Sequence, residues 1–102
     1  MLSFIKKLFG PGTDYKALVA DGAVVVDVRT PQEYKGGHIK GSLNIPVNMI
    51  GQKVNDLKKK GKPVITCCAS GMRSSSAASI LKQAGVEAYN GGSWGGLQNK
   101  IS

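Results

Sequence analysis

Residues 63–85, PVITCCASGMRSSSAASILKQAG, decide the fold. Pro63-Val64-Ile65-Thr66-Cys67 is a β-branched, largely apolar run of the kind that forms a buried strand. From Ser74 to Ala84 the residues Ala77, Ala78, Ile80, Leu81 and Ala84 fall on one side of a helix, and Gly85 stops it. Only a short stretch of small residues separates the two. A strand that passes through a tight loop directly into a helix is the building unit of a parallel sheet.

The flanking sequence extends that unit. Ala23-Val24-Val25-Val26-Asp27-Val28 reads as a second buried strand. Thr30-Pro31-Gln32-Glu33 reads as a helix start, with Thr30 as cap, Pro31 at the first helical position and Glu33 completing a capping box. Gly36 and Gly37 end that short helix. Leu43-Asn44-Ile45 predicts a brief strand, and Val47, Ile50, Val54 and Leu57 recur at helical spacing ahead of Gly61. Val86 to Tyr89 predicts a last short strand, followed by a glycine-rich tail that carries Trp94. Alternating strands and helices imply right-handed crossovers, hence an α/β fold: a small, mainly parallel sheet with helices on both faces. Sites in such sheets lie beyond the carboxyl ends of the strands, where residues 67–74, CCASGMRS, fall.

Size and composition limit the function. A chain of 102 residues makes one compact domain, expected over 13–102 with an N-terminal segment at 1–12. It buries roughly 60–70% of its unfolded surface and needs neither a disulfide nor a structural metal. Cys67 and Cys68 are the only cysteines, and a bridge between neighbours is strained and closes no useful loop. They read as free thiols in a reducing, cytoplasmic setting. The segment MLSFIKKLFG lacks an uninterrupted apolar stretch and a cleavage site, so it is a poor signal peptide, and nothing approaches a membrane span. Leu2, Phe4, Ile5, Leu8 and Phe9 allow a surface anchor, but an end segment docked on the core is favoured. Fourteen basic residues against six acidic give a charge of +8, a field that attracts anions. Most of that charge is lysine, densest at Lys58, Lys59, Lys60 and Lys62, with no interleaved aromatics, so nucleic acid is not the expected partner. A monomer is expected.

Consecutive strand side chains point to opposite faces, so Cys67 and Cys68 cannot share one environment. Counted from Cys68, glycine follows at the third position and arginine at the fifth, giving C-x-x-G-x-R. Counted from Cys67, Arg73 has the spacing of tyrosine-phosphatase-like loops, but Ser70 stands where those loops want glycine. Ala69, Ser70, Gly71, Met72 and Arg73 can curl so that successive N–H groups aim at one sulfur, with Gly71 supplying permissive dihedrals. The helix opening near Ser74 adds its positive end. Such settings lower a thiol from near 8.5 to roughly 3.5–7.5, and two or three charge-assisted hydrogen bonds at roughly 1.5–3 kcal/mol each suffice. Cys68 is therefore expected to be ionised and open to solvent, and Cys67 to pack in the core.

VVDVRTPQEYKGGHIKGSLNIP (25–46), PVITCCASGMRSSSAASILKQAG (63–85) and NGGSWG (90–95) together resemble the single-domain rhodaneses. The likeness runs in order over roughly residues 14–98. It implies a rhodanese-like fold and sulfurtransferase chemistry, in which Cys68 takes the sulfane sulfur of thiosulfate or of a persulfide donor and holds it as a persulfide. The sulfur then passes to a thiophilic acceptor, cyanide in the test tube or a thiol, including a protein thiol. Ping-pong kinetics follow from such a covalent intermediate. The loop residues Ala69, Ser70, Gly71, Met72, Arg73 and Ser74 would cradle the sulfur, with Arg73 clamping a small anionic donor. No cofactor is implied.

Other residues keep two readings. Asp27 and Arg29 end a strand on the same edge; Arg29 either lines the site or braces the chain through Glu33 or a carbonyl. His38 in G-H-I-K-G is expected to brace by hydrogen bonds rather than act as a base, and Trp94 to pack. No His, Asp or Glu joins the cysteines at metal-ligand spacing. The alternatives are a persulfide carrier that docks on protein partners and a cysteine phosphatase or arsenate reductase.

Overall fold

The computed structural model describes residues 12–102, so the expectations for the N-terminal segment lie, but for Gly12, outside it. The elements run α1 (Tyr15–Ala20), β1 (Val24–Asp27), α2 (Pro31–Lys35), β2 (Leu43–Asn44), a 3-10 turn (Val47–Met49), α3 (Ile50–Lys59), β3 (Val64–Cys68), α4 (Met72–Gln83), β4 (Ala88–Ser93) and α5 (Trp94–Ile101). The four strands form one sheet in the order β2-β1-β3-β4. All three pairings are parallel.

Side-chain alternation divides the core between the two faces. On one face Val26, Val28, Val64 and Cys68 pack with Ile50 and Leu57 of α3 and with Ala77, Ala78 and Leu81 of α4. On the other, Val25, Ile65 and Cys67 pack with Leu18 of α1 and Leu97 of α5. The adjacent thiols thus sit on opposite faces, as strand geometry requires. The capping box is also present as the sequence predicts. The Thr30 hydroxyl accepts from the Glu33 amide at 3.2 Å, and the Glu33 carboxylate accepts from the Thr30 amide at 3.0 Å.

Three expectations change. α4 starts at Met72 rather than Ser74, capped by Gly71 in the left-handed region at φ 101°, which brings Arg73 into the first helical turn. Ile80 is 37% exposed rather than buried, since Ala77, Ala78 and Leu81 already fill the helix face. The last strand is Ala88–Ser93, and the glycine-rich tail is half strand and half helix. Gly91 serves close approach rather than flexibility. A Cβ on Gly91 would stand 2.9 Å from Ile65, from Leu97 and from the Thr66 carbonyl, a separation that van der Waals packing forbids. Ser93 then caps α5, accepting from the Gly96 amide at 3.2 Å.

Candidate active site

Cys68 is the last residue of β3, at the carboxyl edge of the sheet, and the chain turns within three residues into α4. The turn aims main-chain donors back at the sulfur. The Gly71 amide lies 3.0 Å from Cys68 Sγ and the Ser74 amide 3.4 Å from it. Ser74 Oγ is also 3.4 Å away. Burial pushes the Cys68 thiol up, but the Ser74 hydroxyl and the amides of Ser74, Gly71 and Ser70 outweigh it, and the net shift is downward. Cys67 goes the other way. Burial, reinforced by the nearby Asp27 carboxylate, pushes it up to about 12. One residue of sequence separates a thiol made to ionise from one prevented from doing so.

The loop is itself held. Thr66 Oγ1 donates to the Ser74 carbonyl at 2.7 Å, tying the first turn of α4 to β3. Asn90 of β4 donates to the Gly71 carbonyl at 3.2 Å, while its Oδ1 accepts from Ser74 Oγ at 2.7 Å and from the Gly92 amide at 3.0 Å. Between Thr66 and Cys68 the β3–β4 register shifts, pairing Thr66 with Asn90 but Cys68 with Ser93. The extra residue on β4 is a bulge of the kind that re-aims side chains beside sites.

The structure corrects one expectation outright. Cys68 is 0% exposed, not open to solvent, because the turn of α4 folds over the end of β3 and donates to the sulfur. The remaining loop residues differ in what they offer the sulfur, and Ser70 does both. Gly71, Ser74 and Ser70 present amides to the sulfur, whereas Ala69, Ser70 and Met72 are exposed at the surface. Arg73 does not reach into the loop. Its Nη1 and Nη2 donate to Glu33 Oε1 at 2.8 Å and Oε2 at 3.1 Å. Arg73, followed by the Thr30 cap, holds the Glu33 carboxyl down at about 2.

Arg29 takes the bracing geometry. It is 5% exposed, and its Nη2 donates to Asp27 Oδ2 at 2.7 Å and to the Gly37 carbonyl at 2.7 Å. Nε donates to Asp27 Oδ1 at 2.9 Å, and the guanidinium lies 4.8 Å from the centre of the Trp94 ring. That bond to Asp27 raises the Arg29 pKa further. His38 Nδ1 is 2.7 Å from the Tyr34 carbonyl, and its ring stacks on that of Tyr34 at 3.7 Å. Two participants were not read from the sequence as part of the site. Glu33 was visible as a cap and as a possible partner of Arg29, but its carboxylate pairs with Arg73, 40 residues away, while Arg29 reaches only its carbonyl at 3.3 Å. Asn90 was visible only as the start of the N-G-G stretch, and an asparagine before two glycines signals a turn, not a clamp. A cleft of about 560 Å³ beside β4 is lined by Tyr15, Lys82, Glu87, Tyr89 and Asn90 among others, not by the Cys68 loop. Among the described residues no three metal-ligating side chains gather, and no helix is long and apolar enough to cross a membrane.

The geometry predicts how the thiols react. The pH profile of alkylation of the native protein by iodoacetamide should be half-maximal below the ordinary value for a free thiol. Peptide mapping should place the label on Cys68 alone. A midpoint at or above that value, or label on Cys67, would contradict the polarity described.

The class is a parallel α/β domain with a thiol of lowered pKa, faced by main-chain amides, in a strand-to-helix loop. The Rhodanese-like domain family model matches residues 12–96, and the chain belongs to that family. Over 79 residues it is 43% identical to YqhL, an uncharacterized protein of Bacillus subtilis, covering 72% of this chain and 62% of that one. It is 38% identical to the thiosulfate sulfurtransferase GlpE of Pseudomonas entomophila, covering 64% of this chain and 59% of that one. The chain thus spans about three fifths of the length of both curated relatives. A solved structure titled as a rhodanese with anions, from E. coli, superposes with a TM-score of 0.67 at 27% identity, covering 74% of this chain and 91% of that one.

Proposed function

We propose that the chain is a sulfurtransferase working through a persulfide on Cys68 in a reducing compartment. The Cys68 thiolate attacks the outer sulfur of thiosulfate or of a persulfide. A new S–S bond forms, the donor's S–S bond breaks, and the electron pair departs with sulfite or with the donor thiolate. A thiophilic acceptor, cyanide or a small or protein thiol, then takes the outer sulfur and returns Cys68 to the thiolate. The observation that carries this reading is the pair of amides, Gly71 at 3.0 Å and Ser74 at 3.4 Å, aimed at a sulfur whose neighbour is turned away and held protonated.

In this reading residues 69–74 bind the transferred sulfur through their amides, and Arg73 draws the donor to the loop mouth. Arg29 holds the end of β1 in place. Because Cys68 is fully covered, residues 69–72 must shift to admit the donor. A phosphatase is the weaker alternative, since expelling an alkoxide wants a positioned acid. Glu33, the carboxyl joined to the loop, is held at about 2 and gives up no proton at neutral pH. A carrier serving protein partners uses the same Cys68 chemistry.

Intact mass spectrometry tests the proposal. Incubation with thiosulfate or an alkyl persulfide should add one sulfur atom, and cyanide should remove it. No gain from either donor would overturn it. Slow loading from thiosulfate with fast loading from a protein persulfide would select the carrier.

A further inference from the structure

Arg73 is the one arginine at the loop mouth, and its fork is already filled. Glu33 accepts from both terminal nitrogens, at 2.8 and 3.1 Å. The same carboxylate is fixed from behind by the Thr30 amide at 3.0 Å and the Thr30 hydroxyl at 3.2 Å. The capping box of α2 therefore doubles as the mount that presents a permanent anion to the loop. Both partners are about one-third exposed, 36% for Arg73 and 38% for Glu33.

The charges around the mouth follow. Asp27 and Arg29 cancel, and Cys67 stays neutral. Glu33 cancels the Arg73 cation, which leaves the negative charge of the Cys68 thiolate without an unpaired guanidinium at the mouth. The lysines at 58–62 do not offset it. They lead into the amino end of β3, the far end from Cys68. A five-residue strand covers roughly 17 Å, about twice the screening length of ~8 Å at physiological salt.

Resting on the sulfur-transfer reading, we infer that Glu33 is a specificity-determining residue that steers the site toward persulfide donors of low charge, R–S–SH, and against the thiosulfate dianion. Thiosulfate, a dianion, meets the Glu33 carboxylate and must displace it to reach the Arg73 fork. A persulfide, with at most one charge and no oxygens for the fork to seat, has no need to. The Cys68 thiolate bonds to the persulfide's outer sulfur, which keeps its hydrogen, and the inner sulfur leaves with R as the thiolate RS⁻, taking the electron pair of the broken S–S bond.

The test compares second-order rate constants for loading Cys68 from thiosulfate and from 2-hydroxyethyl hydropersulfide. Glu33→Gln removes the charge yet still completes a capping box. It should move the thiosulfate-to-persulfide ratio on the order of tenfold toward thiosulfate, with the gain shrinking as salt is raised. Glu33→Asp keeps the charge and should stay near the wild-type ratio. Both donors loading Cys68 with an unchanged ratio in Glu33→Gln would overturn the inference. So would an equal shift in Glu33→Asp, which would mark a loss of shape rather than charge. If neither donor loads the wild-type protein, the sulfur-transfer reading itself fails and takes this inference with it.

Discussion

Cys68→Ser is expected to abolish sulfur loading and to lower sulfur-transfer turnover by on the order of 10³ or more, as loss of a covalent nucleophile does. Cys67→Ser should keep most of the activity. The difference does not come from exposure, since both residues are fully buried. It comes from what each sulfur faces. Cys68 receives two amides and a hydroxyl within 3.4 Å. Cys67 packs with Ile65, Tyr89 and Leu97 on the other face. Serine at 67 places a hydroxyl among those side chains at a cost of about 1–3 kcal/mol, so its penalty should appear as a lower melting temperature. Steady-state rates measured below both melting points separate the two effects. Equal loss of activity in both variants would remove the assignment of the nucleophile.

Arg29→Ala should be the most destabilising single change near the site. Asp27 is 0% exposed, and its carboxylate is satisfied by Arg29 Nε and Nη2 together with the Arg29 amide at 3.1 Å. Truncation leaves a buried carboxylate without its cation, a change that costs about 3–5 kcal/mol. It also frees the Gly37 carbonyl. Against a total stability of roughly 5–15 kcal/mol that is a large share, and at about 4–8 °C per kcal/mol the melting temperature should fall by more than ten degrees. The double variant Asp27→Asn with Arg29→Met should recover part of the loss, since no unpaired charge remains. A drop below about 1 kcal/mol in urea denaturation would mean that the pair is solvated and is not a brace.

What the sequence disclosed about this domain was whatever depends on short spacing. The alternation across Ile65, Cys67 and Cys68 set the faces, Thr30-Pro31-Gln32-Glu33 announced its helix cap, and C-x-x-G-x-R placed the loop. Two things depended on distant partners and stayed hidden, and a third depended on where a helix begins. The Glu33–Arg73 pair joins residues 40 apart, and nothing local to either marks the other. Gly91 looks like loop because glycine is common in loops, yet it is glycine because Ile65, Leu97 and the Thr66 carbonyl leave no space for a side chain. The covering of Cys68 follows from α4 beginning two residues early, at Met72, on a left-handed Gly71 whose permissive dihedrals were legible but did not place the helix start.

Ser74 owns a single hydroxyl hydrogen but stands between two claimants, Asn90 Oδ1 at 2.7 Å and Cys68 Sγ at 3.4 Å. A protonated sulfur can give its own hydrogen to that oxygen and leave the serine committed to Asn90. A charged sulfur cannot, and it calls for the hydrogen instead. Gaining and losing charge at Cys68 is thereby coupled to the swing of one small rotor, and through Asn90 to the Gly71 carbonyl on the loop that covers it.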